Sequence, residues 1–158
     1  MGKNGENWSK LPVFLGEFTH ALDKEFRVAL PARLREAAGK EALDAGLCLT
    51  CGAEPCIVAY THERLKHLLS AFDGDASLGK TAAREFKRGL GATAAVVTPD
   101  GQGRIRIPET LRAYARIERD VTVVGVVDAI EFWSTPVYQG LAAARRAAYE
   151  RLAPRVFG

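Results

Sequence analysis

The sequence predicts a mixed α/β fold in which two tandem copies of one small unit interleave their strands into a single barrel. The first observation is a phrase that occurs twice. "LDKEFRVALPARLREAAG" (residues 22–39) and "TPDGQGRIRIPETLRAYA" (residues 98–115) align at a constant offset of 77 residues. Asp23 falls on Asp100, Arg27 on Arg104, Leu30-Pro31 on Ile107-Pro108, and Leu34-Arg35 on Leu111-Arg112. The second is that "TCGAEPCIVAYTHERL" and "VVGVVDAIEFWSTPVY" also align, at an offset of 73, with Gly52 on Gly125 and Tyr60 on Trp133. The third is physical. A half-unit with an open β-edge gains stability by pairing that edge with its twin, and a closed barrel leaves no edge unpaired.

Each element follows from local chemistry. "FLGEFTHAL" is a β-compatible run that ends at the polar turn Asp23–Arg27. "FRVAL" then alternates with period two, which puts Arg27 and Ala29 on one face and Phe26, Val28 and Leu30 on the other. Pro31 suits the first turn of a helix, where its missing N–H costs nothing, and "ARLREAAG" continues that helix. The drop in offset from 77 to 73 places four extra residues in the connector "GKEALDAG". "LCLTCG" and "CIVAY" form a hairpin.

Thr61 caps a helix over "HERLKHLLSAF", "DGD" breaks it, and "SLGKTAAREFKRGLG" resumes. Leu78, Ala82, Phe86 and Leu90 line one side of this second helix, and Lys80, Arg84, Lys87 and Arg88 the other. The second copy repeats the order. "ATAAVVT" is a strand and "GRIRI" another, with Arg104 and Arg106 opposite Ile105 and Ile107. Pro108 opens "ETLRAYA", and "VTVVGVVDAIEFW" is a hairpin. Thr135-Pro136 starts a last helix centred on "LAAARRAAYERL". The expected organisation is a first module over 14–60, connecting helices over 61–91, a second module over 92–135 and a C-terminal helix over 136–153.

Composition sets wide bounds. A chain of 158 residues with 47% hydrophobic and 26% charged side chains can build a core without metal or disulfide. The net charge of +3 permits an anionic partner and does not demand one. No apolar leader or run approaching 18 apolar residues is present, so the chain reads as cytoplasmic, with no membrane partner. Cys48 and Cys51 have C-x-x-C spacing and Cys56 follows, but a structural zinc needs four ligands and no second C-x-x-C or H-x-x-x-H follows. His20, His62 and His67 are scattered without a phased carboxylate or nucleophile. Nothing here resembles a phosphate loop or a catalytic set, so no enzyme activity, cofactor or small-molecule substrate is expected.

The Asp-x-x-x-Arg turn carries the chemistry. Its carboxylate can cap backbone N–H groups of the turn and hold the guanidinium by paired hydrogen bonds. An arginine fixed in this way either staples the turn or stands ready to bind phosphate or guanine.

With these motifs the chain resembles the MraZ family, which is built from two SpoVT-AbrB-type swapped-hairpin modules. The resemblance rests on "FLGEFTHALDKEFRVALPARLRE", "CIVAYTHERL", "EFKRGLGATAA", "DGQGRIRIPETLR" and "VVGVVDAIEFWS". It implies a bacterial, nucleoid-associated regulator of the division and cell-wall gene cluster, binding promoter direct repeats in double-stranded DNA as a ring-shaped homo-oligomer. On that reading Lys24 and Arg27, supported by Arg33 and Arg35, contact DNA and Asp23 orients Arg27. Asp100 and Arg104 have the chemistry either to read DNA or to brace the barrel, and bracing is the expectation.

The first copy departs from the family pattern at Leu15, where an Arg is usual, at Glu25 in place of Lys, and at Phe26 in place of Gly. Two other readings stay open: a ring-forming interaction protein with weakened DNA binding, and an AbrB-type antitoxin.

Overall fold

The computed structural model describes residues 13–158. The first copy supplies β1 (Glu17–Ala21), β2 (Arg27–Ala29), α1 (Ala32–Ala38), α2 (Lys40–Ala45), β3 (Leu47–Cys51) and β4 (Ile57–Tyr60). Helices α3 (His62–Asp73) and α4 (Lys80–Thr93) follow. The second copy supplies β5 (Ala95–Val97), β6 (Arg104–Arg106), α5 (Glu109–Ala115), β7 (Asp120–Gly125) and β8 (Ile130–Ser134), then α6 (Thr135–Gly140) and α7 (Ala142–Phe157).

The copies are interleaved. The larger sheet runs β1-β7-β8-β4-β3-β5, and β2 pairs with β6 in a separate ribbon. Exchange the two copies, and this order reads the same backwards. Each copy therefore lends its first strand to the other, β1 to β7 and β5 to β3, both antiparallel. A pseudo-two-fold axis passes between Val28 and Ile105 in the ribbon and between Val58 and Glu131 in the sheet, where each residue faces its counterpart. The barrel closes by packing and not by a continuous ladder. β1 and β5 remain the edges of the sheet, while Val28 and Ile105 bury completely beneath the ribbon.

The core obeys the same pairing. Val28 and Ile105, Leu30 and Ile107, Leu34 and Leu111, Leu49 and Val123, and Ile57 and Ile130 are all at most 1% exposed. Period-two alternation points these strand residues to one face, and the short helices contribute one leucine each. The opposite face of the sheet carries a smaller cluster of Cys56, Val58, Ala129, Trp133 and Tyr138. Tyr138 on α6 also ties the copies together, donating to Glu17 of β1 at 2.6 Å.

Several expectations need correction. Phe26 does not share the buried face of Val28 and Leu30. It is 44% exposed with φ +62°, because the strand begins at Arg27 and Phe26 is the last residue of the turn. Pro31 and Pro108 cap their helices instead of opening the first turn. The connector "GKEALDAG" is largely helical, as α2. Cys48 pairs with Tyr60 where Thr122 pairs with Trp133. Three of the four extra residues therefore lie in the connector, and the fourth lengthens the first hairpin loop. The last helix breaks at Leu141 and runs on to Phe157, past the expected end at 153.

Thr61 caps α3 as expected, its hydroxyl accepting from the Arg64 N–H. The stripe on α4 is only half engaged. Phe86 and Leu90 line a cleft of about 640 Å³ with Leu65, Leu68 and Phe72, whereas Ala82 faces outward and Leu78, exposed, lies ahead of the helix, which begins at Lys80.

Candidate functional site

The two Asp-x-x-x-Arg turns are built alike. In the first, Asp23 accepts from the backbone N–H groups of Glu25 and Arg27, both at 2.9 Å, and from Arg27 Nε at 2.8 Å. In the second, Asp100 accepts from the N–H groups of Gln102 at 2.9 Å and Arg104 at 3.0 Å, and from Arg104 Nε at 3.0 Å. Each carboxylate thus closes its turn and fixes its guanidinium with the same side chain.

The axis brings the turns together. Arg27 Nη1 lies 3.8 Å from Asp100, and Arg104 Nη1 lies 3.6 Å from Asp23. Glu25 adds a third carboxylate at 2.9 Å from Arg27 Nη2 and reaches Arg106 at 3.9 Å. Arg27 is therefore a rigid, partly exposed guanidinium whose charge is already balanced, while Lys24 beside it has no ion pair among the described residues.

The structure separates the remaining predicted residues. Arg33 is exposed on α1, its Nη1 about 3.7 Å from where a side chain on Gly16 would begin. Arg35 packs across the second turn, over Gly103, and its Nε is buried without a partner among the described residues. The equivalent place at the first turn is taken by Arg112 of α5, whose guanidinium lies 3.6 Å above the Phe26 ring. The exchange of strands sends each copy's Leu-Arg arginine to the other copy's turn. Sequence reasoning does not single out Arg112 or Arg106 as site residues. The alignment of Leu34-Arg35 with Leu111-Arg112 holds the signal for Arg112.

Hydrogen bonds from the Arg27 N–H above all hold the Asp23 pKa below its ordinary value, and those from Arg104 do the same for Asp100. A depressed folded-state pKa contributes stability above the ordinary carboxylate range, near pH 4, that is lost as pH falls through the lower folded value. In calorimetric melts the wild type is expected to lose thermal stability steadily below about pH 4. The Asp23→Asn/Asp100→Asn double variant should start lower at pH 7 and show a flatter acid limb. Parallel limbs would separate these turns from the acid response.

The cysteines take no part in the site. Cys48 and Cys51 are three positions apart on β3, so their side chains leave opposite faces of the sheet. Burial raises the Cys48 thiol, and burial with nearby Glu131 and Glu54 pushes Cys56 up to about 12. Both thiols are therefore held in the protonated form.

A family model described as "MraZ protein, putative antitoxin-like" matches twice, over residues 13–89 and 90–155. The chain belongs to the MraZ family. A "Transcriptional regulator MraZ" of Lactiplantibacillus plantarum is 38% identical over 141 residues, covering 89% of this chain and 96% of that protein. The protein of the same name from Thermomicrobium roseum is 42% identical over 122 residues, covering 77% and 82%. The one from Micrococcus luteus is 35% identical over 149 residues, covering 92% and 100%. The double match of the MraZ model agrees with the internal repeat, and the pseudo-two-fold sheet is how this chain joins two such units. Among the described residues no helix is long and apolar enough to cross a membrane.

Proposed function

We propose that this MraZ-family chain is a sequence-specific regulator of transcription that binds double-stranded DNA at promoter repeats of a division and cell-wall gene cluster. It works in the cytoplasm, on the nucleoid. The observation that carries this reading is the pair of Asp–Arg turns, which the pseudo-two-fold axis brings onto one partly exposed surface. Arg27 is the expected DNA-reading residue, with Lys24 beside it, Arg33 exposed on α1 and Arg35 lying across the second turn. Asp23, Asp100 and Arg104 hold the array in place. An arginine whose fork is ordered before binding loses little side-chain entropy on meeting phosphate or guanine. Residues 14–60 and 92–135 serve as the two modules.

Self-association forms the second half of the proposal. Phe86 on α4 and Tyr149, Leu152, Val156 and Phe157 on α7 are exposed, the last two more than 70%. Apolar side chains in such number on two outer helices suit burial between copies. A closed ring would then present many weak sites to one duplex and gain affinity through effective concentration.

One observation favours a second reading. Three carboxylates surround Arg27, so this surface is less cationic than its arginine count suggests, as a ring-forming protein with weakened DNA affinity would require. Footprinting on the promoter upstream of the protein's own gene, with mass photometry of the same sample, separates the two. The proposal expects an oligomer and protection over the repeats. An oligomer without protection favours the second reading.

A further inference from the structure

Phe26 occupies a conformation that the second copy gives to glycine. Its φ is +62°, that of Gly103 is +77°, and both carbonyls accept across the axis, from Ile107 and Leu30 respectively. A phenylalanine is strained there, where an L side chain crowds its own backbone. It is also 44% exposed, so burial does not explain it. The Arg112 guanidinium lies over its ring, 3.6 Å from the centroid.

That guanidinium is held on two sides. The ring supports its face, and its Nε donates to the Ile107 carbonyl at 2.9 Å. Stacking uses the face of the planar group and leaves its edge free. Unlike Arg27 and Arg104, Arg112 has no carboxylate partner among the described residues, so its two Nη groups keep their charge and their donors unspent. Its counterpart Arg35 lies over Gly103 with no ring beneath it.

We propose that Arg112, positioned by Phe26, is a further DNA-contacting residue, donating both Nη groups to paired acceptor atoms on the duplex beside the first turn. This rests on the DNA-binding reading above and deepens it. It also gives the departure from glycine at position 26 a use: the positive charge that Glu25 removes from Arg27 is supplied by a second, oriented arginine from the other copy. Phe26 is a positioning residue and acts through the guanidinium.

Anisotropy titrations of a labelled promoter fragment test this with the full chain. Arg112→Ala is expected to weaken binding on the order of tenfold to a hundredfold, the scale of one bidentate pair. Phe26→Gly and Phe26→Leu should each weaken it roughly fivefold, the scale of one cation–π support, while Phe26→Tyr binds as wild type. The double variant Phe26→Gly/Arg112→Ala should lose no more than Arg112→Ala alone. Phe26→Gly should melt no lower than wild type, since glycine relieves the positive φ. Weaker binding without weaker folding is an outcome that a merely structural ring does not give.

A salt series distinguishes the acceptors, and either result supports the proposal. If the Nη groups meet a phosphate, Arg112→Ala lowers the salt slope by about one on promoter and scrambled DNA alike. If they meet a guanine, Arg112→Ala weakens binding to the promoter alone. If wild type binds the promoter and Arg112→Ala or Phe26→Gly binds within twofold of it, this proposal is overturned and the DNA-binding reading stands. If wild type binds neither DNA, both fall.

Discussion

Gly125→Ala is expected to lower the melting temperature by about 6–12 °C, the equivalent of roughly 3 kcal/mol in a domain of this size. A methyl group there would stand 2.4 Å from the Phe14 carbonyl carbon and 2.6 Å from both the Phe14 oxygen and the Leu15 nitrogen. All three atoms belong to the backbone, so no rotamer change relieves the clash. The segment leading into β1 must move away from β7, and two interactions move with it. Phe14, only 1% exposed, leaves the core, and its paired backbone bonds with Val127, both 2.9 Å, are stretched. The strain falls on the seam where the first copy lends a strand to the second. Gly101→Ala is the control, since nothing lies within 4 Å of its added methyl. Equal melting of the two variants would mean that residues 14 and 15 do not dock on Gly125.

Arg27→Ala is expected to weaken promoter binding on the order of a hundredfold while the oligomer stays intact. Two effects add. The oriented guanidinium disappears from every subunit of the assembly, and Asp23 and Glu25 are left facing the duplex without their nearest counter-charge. Arg27→Lys should lose less, because it keeps the charge but not the fork. Fluorescence anisotropy gives the affinity, and mass photometry on the same preparation checks assembly. Binding within twofold of wild type would reduce the Arg27 cluster to a staple of the turns.

The repeat makes the fold legible. Once Asp23 falls on Asp100 and Arg27 on Arg104, two equivalent halves follow, and the period-two runs identify Val28, Leu30, Ile105 and Ile107 as core. What a linear alignment lacks is which copy touches which. The Asp23–Arg104 and Arg27–Asp100 approaches cross between copies, and so does the stack of Arg112 on Phe26. Reading Arg35 as a neighbour of Arg27 assumes that each helix serves its own turn, and strand exchange reverses that.

Phe26 departs from the alternating pattern for a local reason. Period two, carried one residue too far, runs into a turn position whose glycine counterpart, Gly103, marks a positive φ. The helical nature of "GKEALDAG" is hidden by the two glycines that cap it, Gly39 and Gly46.

On the proposed function, two interleaved copies place a set of ordered arginines on one surface for DNA. The most direct test is the affinity of the wild-type protein for its promoter repeats and for a scrambled duplex, measured across a series of salt concentrations. Binding to the repeats is expected to be tighter at every salt, with log affinity falling linearly as log salt rises, by roughly one unit of slope per phosphate contact. Equal affinity for both duplexes, or an affinity that salt does not change, would contradict it.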